Sequence, residues 1–154
     1  MISDQTLEVL IRKKLSFPRT RVYEAWIKKE HMMAWMGPNP EISVSKADWT
    51  VEVGAEYSLG FLEPDGKINT VKGSFLVVTP PEKLGFTWTW ELPLPDAGVD
   101  TLVTVELFET DGGTEIVLKH QKFTGQEMCD RHLAGWQGAL SRYENFFIEN
   151  NQGR

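Results

Sequence analysis

The chain of 154 residues has a single cysteine, Cys129, so no intrachain disulfide can form. With three histidines and no Cys/His cluster, the zinc-finger and iron–sulfur classes are excluded, because those centres need several soft ligands at short spacing. Basic side chains are the minority: 16 Lys and Arg against 22 Asp and Glu leave a net charge of −6, which repels phosphate backbones and anionic headgroups and argues against a nucleic-acid partner. No apolar run approaches the roughly 20 residues that cross a bilayer. The opening MISDQTLEVLI has no basic segment ahead of a small-residue cleavage site. The expectation is a cytoplasmic protein without membrane insertion. Also lacking are a nucleophile elbow, an HExxH pair, a phosphate loop and a glycine-rich dinucleotide fingerprint. No catalytic residue is assigned on these grounds, and no cofactor or metal is expected.

What the chain has in quantity is aromatic side chains, six Trp, eight Phe and three Tyr. They imply either an unusually aromatic core or an aromatic cavity. Composition does not shift along the length, which predicts one domain over residues 1–154, and a chain of this size buries about 68–70% of its unfolded surface without help from disulfides or metals. Period-two alternation predicts a first strand from Thr6 to Leu15, with Leu7, Val9, Ile11 and Leu15 on one face. Pro18 ends it. Two short helices follow, Arg19 to Lys28 with Val22 and Trp26 four apart, and Glu30 to Met36, stopped by Gly37-Pro38-Asn39-Pro40.

From Glu41 the pattern is strands and turns: Tyr57, Leu59 and Phe61 alternate, Pro64-Asp65-Gly66 turns, and Thr70 to Thr79 follows. In LGFTWTWE, Phe86, Trp88 and Trp90 share a face opposite Thr87 and Thr89. Beyond the LPLPDAG connection lie Val99 to Glu109 and, past Asp111-Gly112-Gly113, Thr114 to Phe123. Thr124-Gly125-Gln126-Glu127 has the form of a capping box. The helix after it carries Leu133, Trp136, Ala139, Leu140, Tyr143 and Phe147 on one side, and Asp130, Arg131, Ser141, Asn145 and Glu149 on the other. The prediction is an α+β fold, a curved seven-stranded antiparallel sheet wrapped around one long C-terminal helix, with two short helices after the first strand.

This order of elements resembles the helix-grip fold of the START-related superfamily, in the branch named for the activator homologue of the heat-shock-protein ATPase. The resemblance rests on Pro18 with Val22 and Trp26, Trp35-Met36-Gly37-Pro38, Val53-Gly54-Ala55-Glu56-Tyr57, Pro80-Pro81-Glu82-Lys83-Leu84 running into Phe86-Thr87-Trp88, Thr114 to His120, and Gly135-Trp136. Ala55 departs from the pattern, since many relatives have a second Gly there. The resemblance implies a cavity between helix and sheet. It does not choose among hydrophobic-ligand carriers, cyclases and chaperone-directed modules, because fold does not fix function.

The candidate ligand-binding residues are Trp35, Tyr57, Phe61, Phe75, Phe86, Trp88, Trp90, His120, His132 and Trp136. The aromatics offer flat apolar walls, and a buried Tyr57 phenol needs a hydrogen-bond partner that a ligand would supply. His120 follows Thr114, Ile116 and Leu118 on an apolar strand face; such a histidine is more often a satisfied core residue than a ligand anchor. His132 lies about 40° around the helix from Trp136 and faces the same way. Two imidazoles with no carboxylate or thiolate at ligand spacing do not make a metal site. Met32, Met33 and Met36 beside Trp35 suit an adaptable wall or plain packing. The leading expectation is a non-enzymatic binder of a small apolar or aromatic molecule. The alternatives are a cyclase- or dehydratase-like enzyme using His120, His132 or Tyr57 as general acid or base, and a module that acts on a chaperone or regulator. A homodimer through edge strands and the PLPDAG loop stays open. Leu92 to Gly98 is the expected door to the cavity, hinged at Gly98 and stiffened by Pro93 and Pro95.

Overall fold

In the computed structural model, which describes residues 7–150, the elements run β1 (Val9–Leu15), α1 (Arg19–Ile27), α2 (Lys29–Trp35), β2 (Ser43–Asp48), β3 (Glu56–Leu62), β4 (Ile68–Thr79), β5 (Lys83–Trp90), β6 (Thr101–Thr110), β7 (Gly113–Gln121) and α3 (Gln126–Glu149). Thr6, the expected start of the first strand, lies outside the described residues. All seven strands form one antiparallel sheet in the order β1-β7-β6-β5-β4-β3-β2. Strands β2 to β7 are a plain meander. The two short helices carry the chain from β1 at one edge to β2 at the other, so both ends of the curved sheet are tied to the layer that covers it.

Alternation does what it should. Val9 and Leu15 in β1, Val103, Val105 and Leu107 in β6, and Ile116, Leu118 and His120 in β7 all point inward and are buried. Lys13 falls on the inner register of β1 by the same alternation, and there its ammonium meets Glu144 of α3 at 3.0 Å. On α3 the buried positions are Met128, Cys129, His132, Trp136, Ala139, Leu140, Tyr143 and Phe147, a stripe at helical spacing that lies along the concave face of the sheet.

Two local features differ from the expectations. Helix α3 begins one residue later than a capping box requires: Gly125, extended at φ −165°, occupies the cap position and no side chain caps the helix. The Thr124 hydroxyl instead sits 3.8 Å from the Met128 sulfur. Strand β7 ends at Gln121, because Lys122 takes a positive φ of 77° and turns the chain toward α3.

Candidate functional site

One end of the space between α3 and the sheet is unfilled. The cavity has a volume of about 320 Å³, and its walls come from six places: Met36 to Ile42 after α2, Phe61 at the end of β3, Glu63 and Asn69 of the β3–β4 hairpin, Trp88 and Trp90 on β5, Leu94 to Asp96 in the β5–β6 loop, and Arg131 to Ala139 on α3. The volume lies at the small end of the range typical of ligand pockets. Aromatic rings dominate the interior, with the Trp88 ring centroid 5.7 Å from Trp90 and 5.4 Å from Trp136, and Phe61 5.5 Å from Trp90.

Two of the rings, Trp90 and Trp136, are fixed by hydrogen bonds to histidines. Because an indole nitrogen can only donate, Trp136 Nε1 at 3.0 Å makes His120 Nδ1 an acceptor. His120 Nε2 therefore carries the proton and donates to Thr101 Oγ1 at 2.7 Å, and the Thr101 hydroxyl donates onward to the Trp88 carbonyl at 2.7 Å. The same logic applies at His132, where Trp90 Nε1 donates to Nε2 at 3.0 Å and Nδ1 donates to the Met128 carbonyl at 2.8 Å. Both imidazoles are neutral, with both ring nitrogens engaged. Burial holds the His120 pKa well below its ordinary value, helped by the His132 ring whose centroid lies 5.1 Å away. Burial also lowers that of His132, against the opposing pull of its bond to Met128.

The mouth is polar. Asn69 Nδ2 donates to Glu63 Oε2 at 3.0 Å across the β3–β4 hairpin, and Arg131 Nη2 reaches both Asp96 carboxylate oxygens, at 2.6 and 2.7 Å, joining the β5–β6 loop to α3. That loop is further shaped by Gly98, which at φ +82° donates its N–H to the Trp90 carbonyl. Leu94 turns to the cavity while Leu92 is 85% exposed.

Of the residues singled out from the sequence, Phe61, Trp88, Trp90, His132 and Trp136 line this cavity. Trp35, Tyr57, Phe75 and Phe86 are packed in the core beside it, and His120 is buried as well. Trp35 Nε1 is held by the Ala25 carbonyl, and Phe75 and Phe86 close around Trp49, at 5.1 and 6.0 Å between centroids. The Tyr57 phenol, for which a ligand was one possible partner, donates to the Thr87 carbonyl, passing the position of Gly73, where a Cβ would collide with that same carbonyl. Of the methionines, Met36 lines the cavity and Met32 is core. The Cys129 thiol is buried and its pKa pushed up by that burial, so it is not an activated nucleophile. Sequence reasoning passed over Glu63, Asn69, Asp96 and Arg131. The signal for the first pair was there in Glu63, directly before the Pro64-Asp65-Gly66 turn, and Asn69, three residues after it.

An antiparallel sheet curved around a C-terminal helix, with an aromatic cavity at one end of the groove, defines a helix-grip protein of the START-related type. The chain belongs to the family of activator of Hsp90 ATPase homolog 1-like proteins, whose model matches residues 16–147. No curated protein matches it. Among solved structures it is similar to the AHSA1 protein of Silicibacter pomeroyi, at 20% identity and TM-score 0.83 over 92% of this chain and 98% of that one. It is also similar to a protein of Nitrosomonas europaea, at 21% identity and TM-score 0.80 over 97% and 99%. A third is an AHSA1-like protein of Aeromonas hydrophila, at 18% identity and TM-score 0.78 over 94% of each chain. At such identities these likenesses show the fold.

Proposed function

We propose that the chain binds a small apolar or aromatic molecule in the cavity between α3 and the sheet, as a non-enzymatic carrier or sensor in the cytoplasm. The observation that carries this reading is the unfilled space of about 320 Å³ walled by Phe61, Trp88, Trp90 and Trp136. Large aromatics that could have collapsed into the gap are held off it by hydrogen bonds to His120 and His132. Binding is favoured over acid–base catalysis because His120, His132 and Tyr57, the three groups suited to proton transfer, already have protein partners. A surface-directed role is less well supported, since the exposed apolar side chains among the described residues, Leu10, Val53, Ile68, Leu76, Leu92, Phe108 and Ile148, are spread over six segments of the chain.

The test is a titration of aromatic and acyl compounds followed by tryptophan emission and melting temperature. A compound that occupies the cavity changes the emission and raises the melting temperature, by the equivalent of about 2.7 kcal/mol at a hundredfold excess over its Kd. Gly135→Leu, which places a side chain into the cavity from a position where a Cβ meets only Pro38 at 3.9 Å, should abolish both responses and leave the fold intact. If no compound acts up to its solubility limit, or if the plugged variant responds like the parent, the cavity is not a binding site.

A further inference from the structure

Resting on the cavity reading above, we infer that the preferred ligand is a hydrophobic amine: an apolar or aromatic body carrying a protonated nitrogen, with the nitrogen held at the mouth by Glu63. The inference comes from how the charges at the mouth are arranged. The cavity lining contains two carboxylates, Glu63 and Asp96, and one guanidinium, Arg131. The guanidinium is committed, because its Nη2 contacts both oxygens of Asp96 and its positive charge is neutralised there. A carboxylate or phosphate headgroup entering the cavity therefore finds, among the described lining residues, no cation that is not already paired with a carboxylate.

Glu63 is in the opposite position. It is half-buried, and among the described residues no Lys or Arg forms an ion pair with it. Its Oε2 accepts from the neutral Asn69 amide, which orients the carboxylate without cancelling its charge. A partly desolvated carboxylate held in one orientation at the lip of an apolar cavity is suited to a single charge-assisted hydrogen bond from an ammonium group. The ring walls act in the same direction. Phe61, Trp88, Trp90 and Trp136 present π-systems whose faces attract cations and not anions. The net charge of −6 adds a long-range bias of the same sign. The apolar body would be buried among the rings and against Leu94 and Ala139, with the charged end toward Glu63.

The experiment uses three probes with one body and different heads, 4-phenylbutylamine, 4-phenylbutanol and 4-phenylbutyrate, titrated into the full chain and into Glu63→Gln at low and high salt. Gln keeps an acceptor for Asn69, so the hairpin is retained; circular dichroism and the melting temperature check this. The amine should bind about tenfold more tightly than the alcohol and the carboxylate more weakly than either. Salt should weaken the amine alone, and Glu63→Gln should bring the amine to within about twofold of the alcohol while leaving the alcohol unchanged. Alcohol binding without an amine advantage overturns the charge assignment but leaves the cavity reading standing. An amine advantage that survives in Glu63→Gln overturns the role of Glu63. If none of the three binds, the cavity reading falls and this inference with it.

Discussion

Gly135 and Gly138 lie three residues apart on α3, facing the Met36 to Ile42 segment, and the same substitution should have opposite effects at the two positions. A Cβ at Gly135 would find Pro38 Cβ at 3.9 Å, an ordinary contact, whereas one at Gly138 would be driven into the Pro38 carbonyl. The segment cannot easily retreat, since Arg142 Nη1 donates to the Asn39 carbonyl at 3.1 Å and its guanidinium also reaches the carbonyls of Ala34 and Ile42. Gly135→Ala should therefore stabilise the protein by about 1 kcal/mol, the difference in helix propensity. Gly138→Ala should cost roughly 1–3 kcal/mol through overpacking. Urea unfolding of the two variants decides the matter, and equal signs would mean that the segment does not dock on α3 as described. The sequence shows two glycines in one helix and no more. Which one touches backbone depends on a loop a hundred residues away, and periodicity is blind to that.

The elements themselves were largely legible, because strand alternation and helical spacing report which face is buried, and burial drives the packing of α3 on the sheet. The helix start was misread at Thr124 because a capping box depends on one residue's φ, which a four-residue motif does not determine; Gly125 takes the cap position instead. The β5–β6 loop was legible as a connection longer than a tight hairpin needs, but its latch was not. The latch joins Asp96 to Arg131, a residue that the helical pattern assigns to the solvent side. Its opening should govern ligand exchange. In Asp96→Asn the on- and off-rates of 4-phenylbutanol, measured by NMR line shape, should both rise several-fold with little change in affinity. Stability should fall by no more than about 1 kcal/mol, as for other exposed ion pairs. A disulfide from position 94 to the facing helix, in a background lacking Cys129, should do the reverse when oxidised. If the rates are unchanged in both variants, the entrance lies elsewhere.

At the scale of the whole molecule, periodicity gave the face of each aromatic but not its depth along the groove. Phe86, Trp88 and Trp90 share one side of β5, yet Phe86 is closed in by Trp49 and Tyr57 while Trp88 and Trp90 reach the open end. His120, on the apolar face of β7, is satisfied by its bonds to Trp136 and Thr101. With His132 it forms a buried neutral pair that links β5, β6, β7 and α3, and this has a consequence for global stability. In the unfolded chain both imidazoles take up a proton as pH falls through about 6.5, their ordinary value. In the folded protein burial lowers both pKa values, His120 the more strongly, so the native state resists that proton. Below about pH 6.5 the unfolded state therefore binds more protons than the native state, and stability must fall with pH, by up to about 1.4 kcal/mol per pH unit for each histidine that stays neutral. Above pH 7 both states are mostly neutral at these positions and the dependence should flatten. Urea unfolding at pH 7.5, 6 and 5 should show this decline. His120→Asn should be less stable than the parent at pH 7.5 yet lose less on acidification, because one of the two titrating groups is gone. A parent stability that is level from pH 7.5 to 5 would mean that the imidazoles accept protons in place. In that case Trp90 and Trp136 could not both be donating to them, and the arrangement that holds the cavity open would have to be a different one.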